Sequence, residues 1–165
     1  MLRSLCFLAF VALIFAGCES PSYVYRYVPG RTATIEGGCA VAPPAAPEAV
    51  KLAIAAGNRI AGSSYRRGGG HDGNDDGCFD CSGATSYVFR AAGLMNDSMP
   101  SSGFRRFGAS GHGEWIDIYA RRGHVFLAVA GLRFDTGWNH VEEGPRWSTR
   151  SRPADGAVIR HPPGL

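Results

Sequence analysis

Residues 114–136, "EWIDIYARRGHVFLAVAGLRFDT", contain three short runs with the residue pattern of β-strands. The runs cover 114–120, 123–130 and 132–136. They are separated only by the turn at Arg121–Gly123 and by Gly131. Connections this short join antiparallel neighbours, because parallel strands need a longer crossover. The stretch therefore predicts an antiparallel meander, and "DGAVIRH" at 155–161 is a candidate last strand.

Two helices are predicted before the meander. The first covers "PEAVKLAIAAGNRIAG", residues 47–62, which is rich in helix formers and ends in glycine. The second begins at "CSGATSYVFRAAGL", residues 81–94, where Ala84 and Val88 share one face. A glycine-rich loop, residues 63–77, lies between them. Because the helices come first and the strands later, the pattern indicates the α+β class.

The N-terminus has the layout of an export signal. Residues 1–17 begin with one basic residue, continue with an apolar run that is short for a membrane span, and end in small residues. Cys18 follows directly, which resembles the bacterial lipoprotein signal, in which that cysteine is acylated. The alternative is an ordinary signal peptide with a chance cysteine. We expect an exported protein that is anchored by lipid to a bacterial envelope membrane.

Composition divides the rest of the chain into two parts. Residues 18–47 are rich in Pro, Gly and Ala and predict an extended tether. Residues 48–165 have the length of a single domain. Removal of 1–17 takes one base away and leaves 16 basic against 14 acidic residues, a net charge of +2. This charge is too small to indicate a nucleic-acid partner.

Three cysteines remain for the exported domain, namely Cys39, Cys78 and Cys81. In an oxidising compartment an odd number predicts one disulfide and one thiol. The residues alone leave four interpretations of the Cys-x-x-Cys pair open. It could be a redox centre, a zinc site with His71, a local disulfide, or a bridge from Cys78 to Cys39 that leaves Cys81 as a nucleophile.

Three motifs resemble the NlpC-type cell-wall peptidases, which are papain-like cysteine hydrolases. They are "SSYRRGGG" (63–70), "FDCSGATSYVFRAAGL" (79–94) and "GHVFLAVAG" (123–131). The resemblance covers roughly residues 48–136. It implies an α+β papain-like fold in which N-terminal helices pack on a small antiparallel sheet. The family's usual Pro-Gly-Asp-Leu turn before the histidine strand is missing, which leaves the cleaved bond open.

The resemblance implies a catalytic role for Cys81 as nucleophile, His124 as general base and Asp135 as the residue that orients the imidazole. Family members more often have His, Asn or Gln at the third position, so Asp135 is a departure. Tyr65 matches a family tyrosine whose hydroxyl faces the nucleophile. Each residue also has a simpler interpretation: Cys81 as a core residue, His124 as a strand-end histidine, and Asp135 as the cap of a turn.

Elementary chemistry favours the same assignment. A cysteine at a helix N-terminus lies near unpaired N–H groups and the positive end of the helix dipole, which favour the thiolate and can hold an oxyanion. Ser82 is the expected N-cap, and its backbone N–H is a candidate oxyanion donor. Asp135 lies on the strand after His124 and can face it across the hairpin.

The sequence thus predicts a monomeric, lipid-anchored thiol hydrolase that cleaves peptidoglycan stem peptides through an acyl-enzyme, without metal or cofactor. The nearest alternative is an amidase or acyltransferase with the same Cys/His pair. A third candidate is a non-catalytic envelope lipoprotein that binds peptidoglycan.

Overall fold

The computed structural model describes residues 21–71, 77–137 and 143–165. The predicted signal at 1–17 and the predicted lipidation site Cys18 lie outside these residues. Three helices are present in the described ranges: α1 Glu48–Ile60, α2 Cys81–Ala91 and α3 Ser101–Phe104. The first six strands are β1 Ser22–Tyr23, β2 Thr34–Glu36, β3 Cys39–Val41, β4 Ser64–Tyr65, β5 Cys78–Phe79 and β6 Ala109–Ser110. The other six are β7 Ile116–Arg121, β8 His124–Val129, β9 Leu132–Asp135, β10 Arg146–Ser148, β11 Arg152–Pro153 and β12 Val158–His161.

The main sheet has six strands in the order β10-β9-β8-β7-β12-β6. Every neighbouring pair is antiparallel. The predicted meander is confirmed as β7, β8 and β9, with Ile118 opposite Leu127 and Leu127 opposite Phe134. The candidate last strand is confirmed as β12, which pairs with both β7 and β6.

The predicted fold class, N-terminal helices packed on a small antiparallel sheet, is wrong. The described residues are mostly β-structure around the six-stranded sheet, with helices of only 13, 11 and 4 residues. The sequence pattern underestimated the sheet because β6 and β10 have two and three residues. Runs this short show no periodicity, and it is pairing with longer neighbours that makes them strands.

Both long helices pack into the main core. Helix α1 contacts α2 and β10, and α2 contacts β8. Gly57 of α1 lies against the indole of Trp147 in β10, and a Cβ at Gly57 would overlap that ring. Helix α2 ends at Ala91, and Gly93 follows in the left-handed region at φ +70°, which is typical of the residue after a helix C-terminus. This packing fixes the start of α2 beside β8. None of the helices in the described ranges is long and apolar enough to cross a membrane.

Residues 21–47 are packed on the domain, in contrast to the extended tether that their composition predicts. Strand β1 pairs with β11, and Tyr23 is only 3% exposed. The hairpin of β2 and β3 is held to α1 by Asn58, whose side chain bonds both backbone groups of Ala40. Ala33, Ala40 and Ala46 belong to the main core. The predicted boundary after residue 47 therefore does not separate this segment from the core, because its alanines and Tyr23 are buried by distant residues.

Candidate active site

The first turn of α2 presents Cys81 as its first residue. Asp80 is the N-cap, and its Oδ1 accepts a hydrogen bond from the Gly83 N–H at 2.7 Å. The expectation that Ser82 caps this helix is therefore wrong. Aspartate is as good a cap as serine, and Asp80 has the extended backbone that a cap requires. The Cys81 side chain is partly buried and packs against the main core.

Asp80 joins the glycine-rich loop to the helix. Its Oδ2 accepts from the Gly68 N–H at 2.8 Å, and its Oδ1 accepts from the Ser82 hydroxyl at 3.0 Å. Burial alone would raise the pKa of Asp80, but hydrogen bonds from Gly83, Gly68, Ser82 and His71 outweigh burial and lower it. The carboxylate therefore stays charged and braces the nucleophile loop.

Ser82, His71 and Asp80 lie close together but do not have the geometry of a catalytic triad. His71 Nε2 lies 3.1 Å from Asp80 Oδ1 and 3.2 Å from the Ser82 hydroxyl, so one ring nitrogen meets both partners. A relay needs the acid and the nucleophile on different nitrogens. The three side chains are therefore a brace of the loop.

Glycines allow the loop to lie directly on the helix start. A Cβ on Gly83 would overlap the carbonyl oxygen of Gly69, and a Cβ on Gly70 would overlap the ring of Phe79. Gly70 also has φ +79°, which other residues rarely adopt. The close approach of two backbones thus explains the glycine two residues after Cys81.

The base and its orienting acid lie on adjacent strands. His124 begins β8 and Asp135 ends β9, and the strand register places Asp135 opposite Phe126, diagonal to His124. His124 Nε2 is 2.8 Å from Asp135 Oδ1. The two side chains are 16% and 2% exposed, so water screens this contact little.

The Cys81 side chain also acts on His124, since it is among the groups that raise the pKa of this imidazole. Because Nε2 faces Asp135, Nδ1 is the ring nitrogen that remains for the thiol. Burial alone would lower the pKa of His124, but the contacts with Asp135 and Cys81 outweigh burial and raise it. The structure therefore brings together the three residues that the sequence predicts, in the order thiol, imidazole, carboxylate.

Two arginines contact the carboxylate oxygen of Asp135 that does not face His124. Arg152 Nη1 lies 2.6 Å from Asp135 Oδ2, and Arg133 Nη1 lies 3.8 Å from the same oxygen. Their side chains are 7% and 2% exposed. The guanidinium of Arg152 also lies over the ring of Phe126, 5.2 Å from its centroid. These arginines hold the carboxylate in position.

Sequence reasoning missed both arginines. Arg152 stands in the irregular "TRSRPA" segment, and no motif marks it. Arg133 lies in β9 between Leu132 and Phe134. A charged residue between apolar strand residues was the one signal in the sequence that could have indicated a buried ion pair.

A cleft of about 210 Å³ opens beside His124. Its walls include Tyr65, Arg121, His124, Thr136, Gly137 and Arg152. Tyr65 is thus placed on the same cleft as the predicted base. It reaches this position because β4 pairs in parallel with β5, the strand that leads into α2.

Cys39 carries no disulfide, so the predicted bridge between Cys39 and Cys78 is not formed. Cys39 is exposed on the hairpin that packs on α1, whereas Cys78 lies in β5 beside β4. In the described ranges, no group of three or more His, Cys, Asp or Glu side chains is arranged to hold a metal ion.

Comparison with known proteins adds no relative. No protein-family model matches the chain, and a search of curated proteins finds no match. A thiol at a helix start, together with an imidazole that a carboxylate orients, is an arrangement suited to attack on a carbonyl carbon.

Proposed function

We propose that the protein is a cysteine hydrolase that cleaves peptide bonds in peptidoglycan stem peptides. The observation that carries this proposal is the series Cys81–His124–Asp135: Cys81 begins a helix, His124 lines a cleft and interacts with Cys81, and Asp135 contacts the imidazole at 2.8 Å. A core cysteine or an idle strand-end histidine would need neither partner. The substrate class comes from the resemblance to NlpC-type peptidases.

In the proposed reaction, His124 takes the proton of the Cys81 thiol, and the sulfur attacks the carbonyl carbon. The oxyanion is held by backbone N–H groups at the start of α2. Asp80 already occupies the Gly83 N–H, and helix geometry leaves those of Cys81 and Ser82 without intrahelical partners. His124 then gives its proton to the leaving amine, which leaves an acyl-enzyme.

Water completes the reaction. His124, neutral again, takes a proton from the water that attacks the thioester, and the thiolate of Cys81 leaves and is reprotonated. Asp135 keeps Nε2 protonated and stabilises the imidazolium in both halves of the cycle. No step calls for a metal or a cofactor.

An amidase or acyltransferase would use the same residues, and it differs only in the amine that leaves or the acceptor that attacks. The non-catalytic binder is less well supported, because a binder has no need of the contacts that raise the pKa of His124. Acylation of Cys18 would hold the enzyme at an envelope membrane beside its substrate.

Digestion of purified sacculi tests the proposal. Wild-type protein should release soluble stem-peptide fragments, and mass spectrometry should identify the broken bond. Cys81→Ala should release none. Cys39→Ala is the matched control, because Cys39 is an exposed thiol in β3 and should leave digestion unchanged. Equal release by Cys81→Ala, or binding of sacculi by the wild type without any release, would refute the hydrolase.

A further inference from the structure

The turn between β7 and β8 carries two arginines that face different cavities. Arg121 lines the cleft beside His124. Arg122 lines a second cavity of about 400 Å³ together with Arg105 and Arg106, and we call this cavity the arginine groove. No acidic side chain of the described residues lines either cavity.

Strand register places Arg121 next to the proposed base. Arg121 is directly opposite His124 in the β7–β8 pair. Directly opposed residues have side chains on the same face of the sheet, with Cβ atoms about 5 Å apart. Arg121 is exposed, whereas Arg152 in the same cleft is buried against Asp135. Arg121 is therefore the cation that a molecule in the cleft would meet first.

Two acidic residues in or just before β7 are engaged elsewhere. Glu114 pairs with Arg31 at 2.9 Å, and Asp117 binds the ring of His112 at 2.8 Å. Within 21–71, 77–137 and 143–165, no ion pair with an acidic side chain involves the arginine groove or Arg121. Like charges placed together repel one another, and an anionic ligand would relieve that repulsion.

We infer that the substrate is an anionic peptide with two recognised carboxylates. One lies next to the scissile bond and binds Arg121, and the other binds the arginine groove. The planar guanidinium matches a carboxylate with two parallel hydrogen bonds, which gives orientation as well as attraction. This inference rests on the proposed function, and it adds the charge and the direction of the bound peptide.

Binding to the inactive Cys81→Ala protein tests the inference without requiring hydrolysis. The probes are a synthetic stem tripeptide with free carboxylates and the same peptide with those groups converted to carboxamides. Nuclear magnetic resonance titration should show about tenfold tighter binding of the free acid, the scale of a charge-assisted hydrogen bond. Adding Arg121→Gln should reduce this ratio, as should Arg105→Gln with Arg106→Gln.

Arg26→Gln is the matched control, because Arg26 is an exposed arginine that lines neither cavity and should leave the ratio unchanged. Equal binding of acid and carboxamide would overturn the inference, as would an equal loss in the control. Stronger competition by inorganic phosphate than by acetate would also overturn it, since it would assign the site to phosphate. If the free acid binds more tightly than the carboxamide but the wild type cleaves no peptide, the carboxylate site is supported and the proposed hydrolase activity is refuted.

Discussion

Replacing Asp135 with asparagine removes one negative charge from the centre of the site while keeping the shape of the side chain. In the wild type, the Asp135 carboxylate accepts a hydrogen bond from the Thr136 N–H at 2.8 Å and contacts His124 Nε2 at 2.8 Å. An amide oxygen can still accept both hydrogen bonds. What asparagine cannot supply is the charge that faces Arg152, Arg133 and the imidazole.

The loss should be large because the cations are buried. Arg152 and Arg133 are 7% and 2% exposed, so neither can turn to water when the carboxylate loses its charge. Removing one partner of a buried ion pair costs about 3–5 kcal/mol. We expect a loss near 3 kcal/mol in the free energy of unfolding, because the two hydrogen bonds remain. Hydrolysis should fall about 10²- to 10⁴-fold, the usual contribution of a positioned acid–base group.

The pKa of His124 gives a more specific readout. Contacts with Asp135 and Cys81 raise this pKa against the effect of burial, so Asp135→Asn should lower it. A histidine whose pKa is raised by folding stabilises the fold below its unfolded value of about 6.5, and this contribution is lost as the pH rises through the folded value. The wild type should therefore lose some stability as the pH rises from the unfolded to the folded pKa of His124. Asp135→Asn should lose less stability over the same pH range.

Urea unfolding and resonance titration of the histidine rings measure these effects. Asp117→Asn is the matched control, because Asp117 also contacts a histidine at 2.8 Å, but that histidine side chain is 63% exposed. Its cost should stay below about 1 kcal/mol, as for an exposed ion pair. The reasoning is refuted if Asp135→Asn leaves the pKa of His124 unchanged or costs no more than the control.

Three further predictions concern the nucleophile, the packing of its helix start, and the lipid anchor. Iodoacetamide should alkylate Cys81 in the folded protein faster than Cys39 or Cys78, because Cys81 begins α2 and interacts with His124. Peptide mapping measures these rates, and reaction of Cys81 only after denaturation would contradict the prediction. Gly83→Ala should cost about 1–3 kcal/mol in urea unfolding, because the new methyl overlaps the Gly69 carbonyl, and an unchanged midpoint would contradict the close approach. Labelled fatty acid should enter the wild type but not Cys18→Ala, and an unlabelled wild type would rule out the anchor.

Local signals in the sequence predicted the parts of the site that depend on neighbouring residues. The strand-like runs and short turns of 114–136 predicted β7, β8 and β9, because residue type and turn length are properties of the chain itself. The break between the loop and α2 predicted Cys81 at a helix start. Once these strands were paired, His124 and Asp135 had to lie near each other.

The size of the sheet, and so the fold class, was decided by tertiary structure. Strands β6 and β10 exist because longer strands pair with them. In the same way β1 is a strand because it pairs with β11. Such pairs are distant in sequence, and a run of two or three residues carries no periodic signal of its own.

The support of Asp135 was also outside the reach of the sequence. Arg152 is 17 positions from Asp135 and reaches it only in the folded chain, in which Arg152 belongs to β11 and pairs with Tyr23 of β1. A buried arginine and an exposed one look alike in a sequence, because the distinction depends on whether the fold supplies a carboxylate and excludes water. Local chemistry could therefore name the thiol, the imidazole and the carboxylate, whereas only the packed chain could show that two buried cations hold that carboxylate in place.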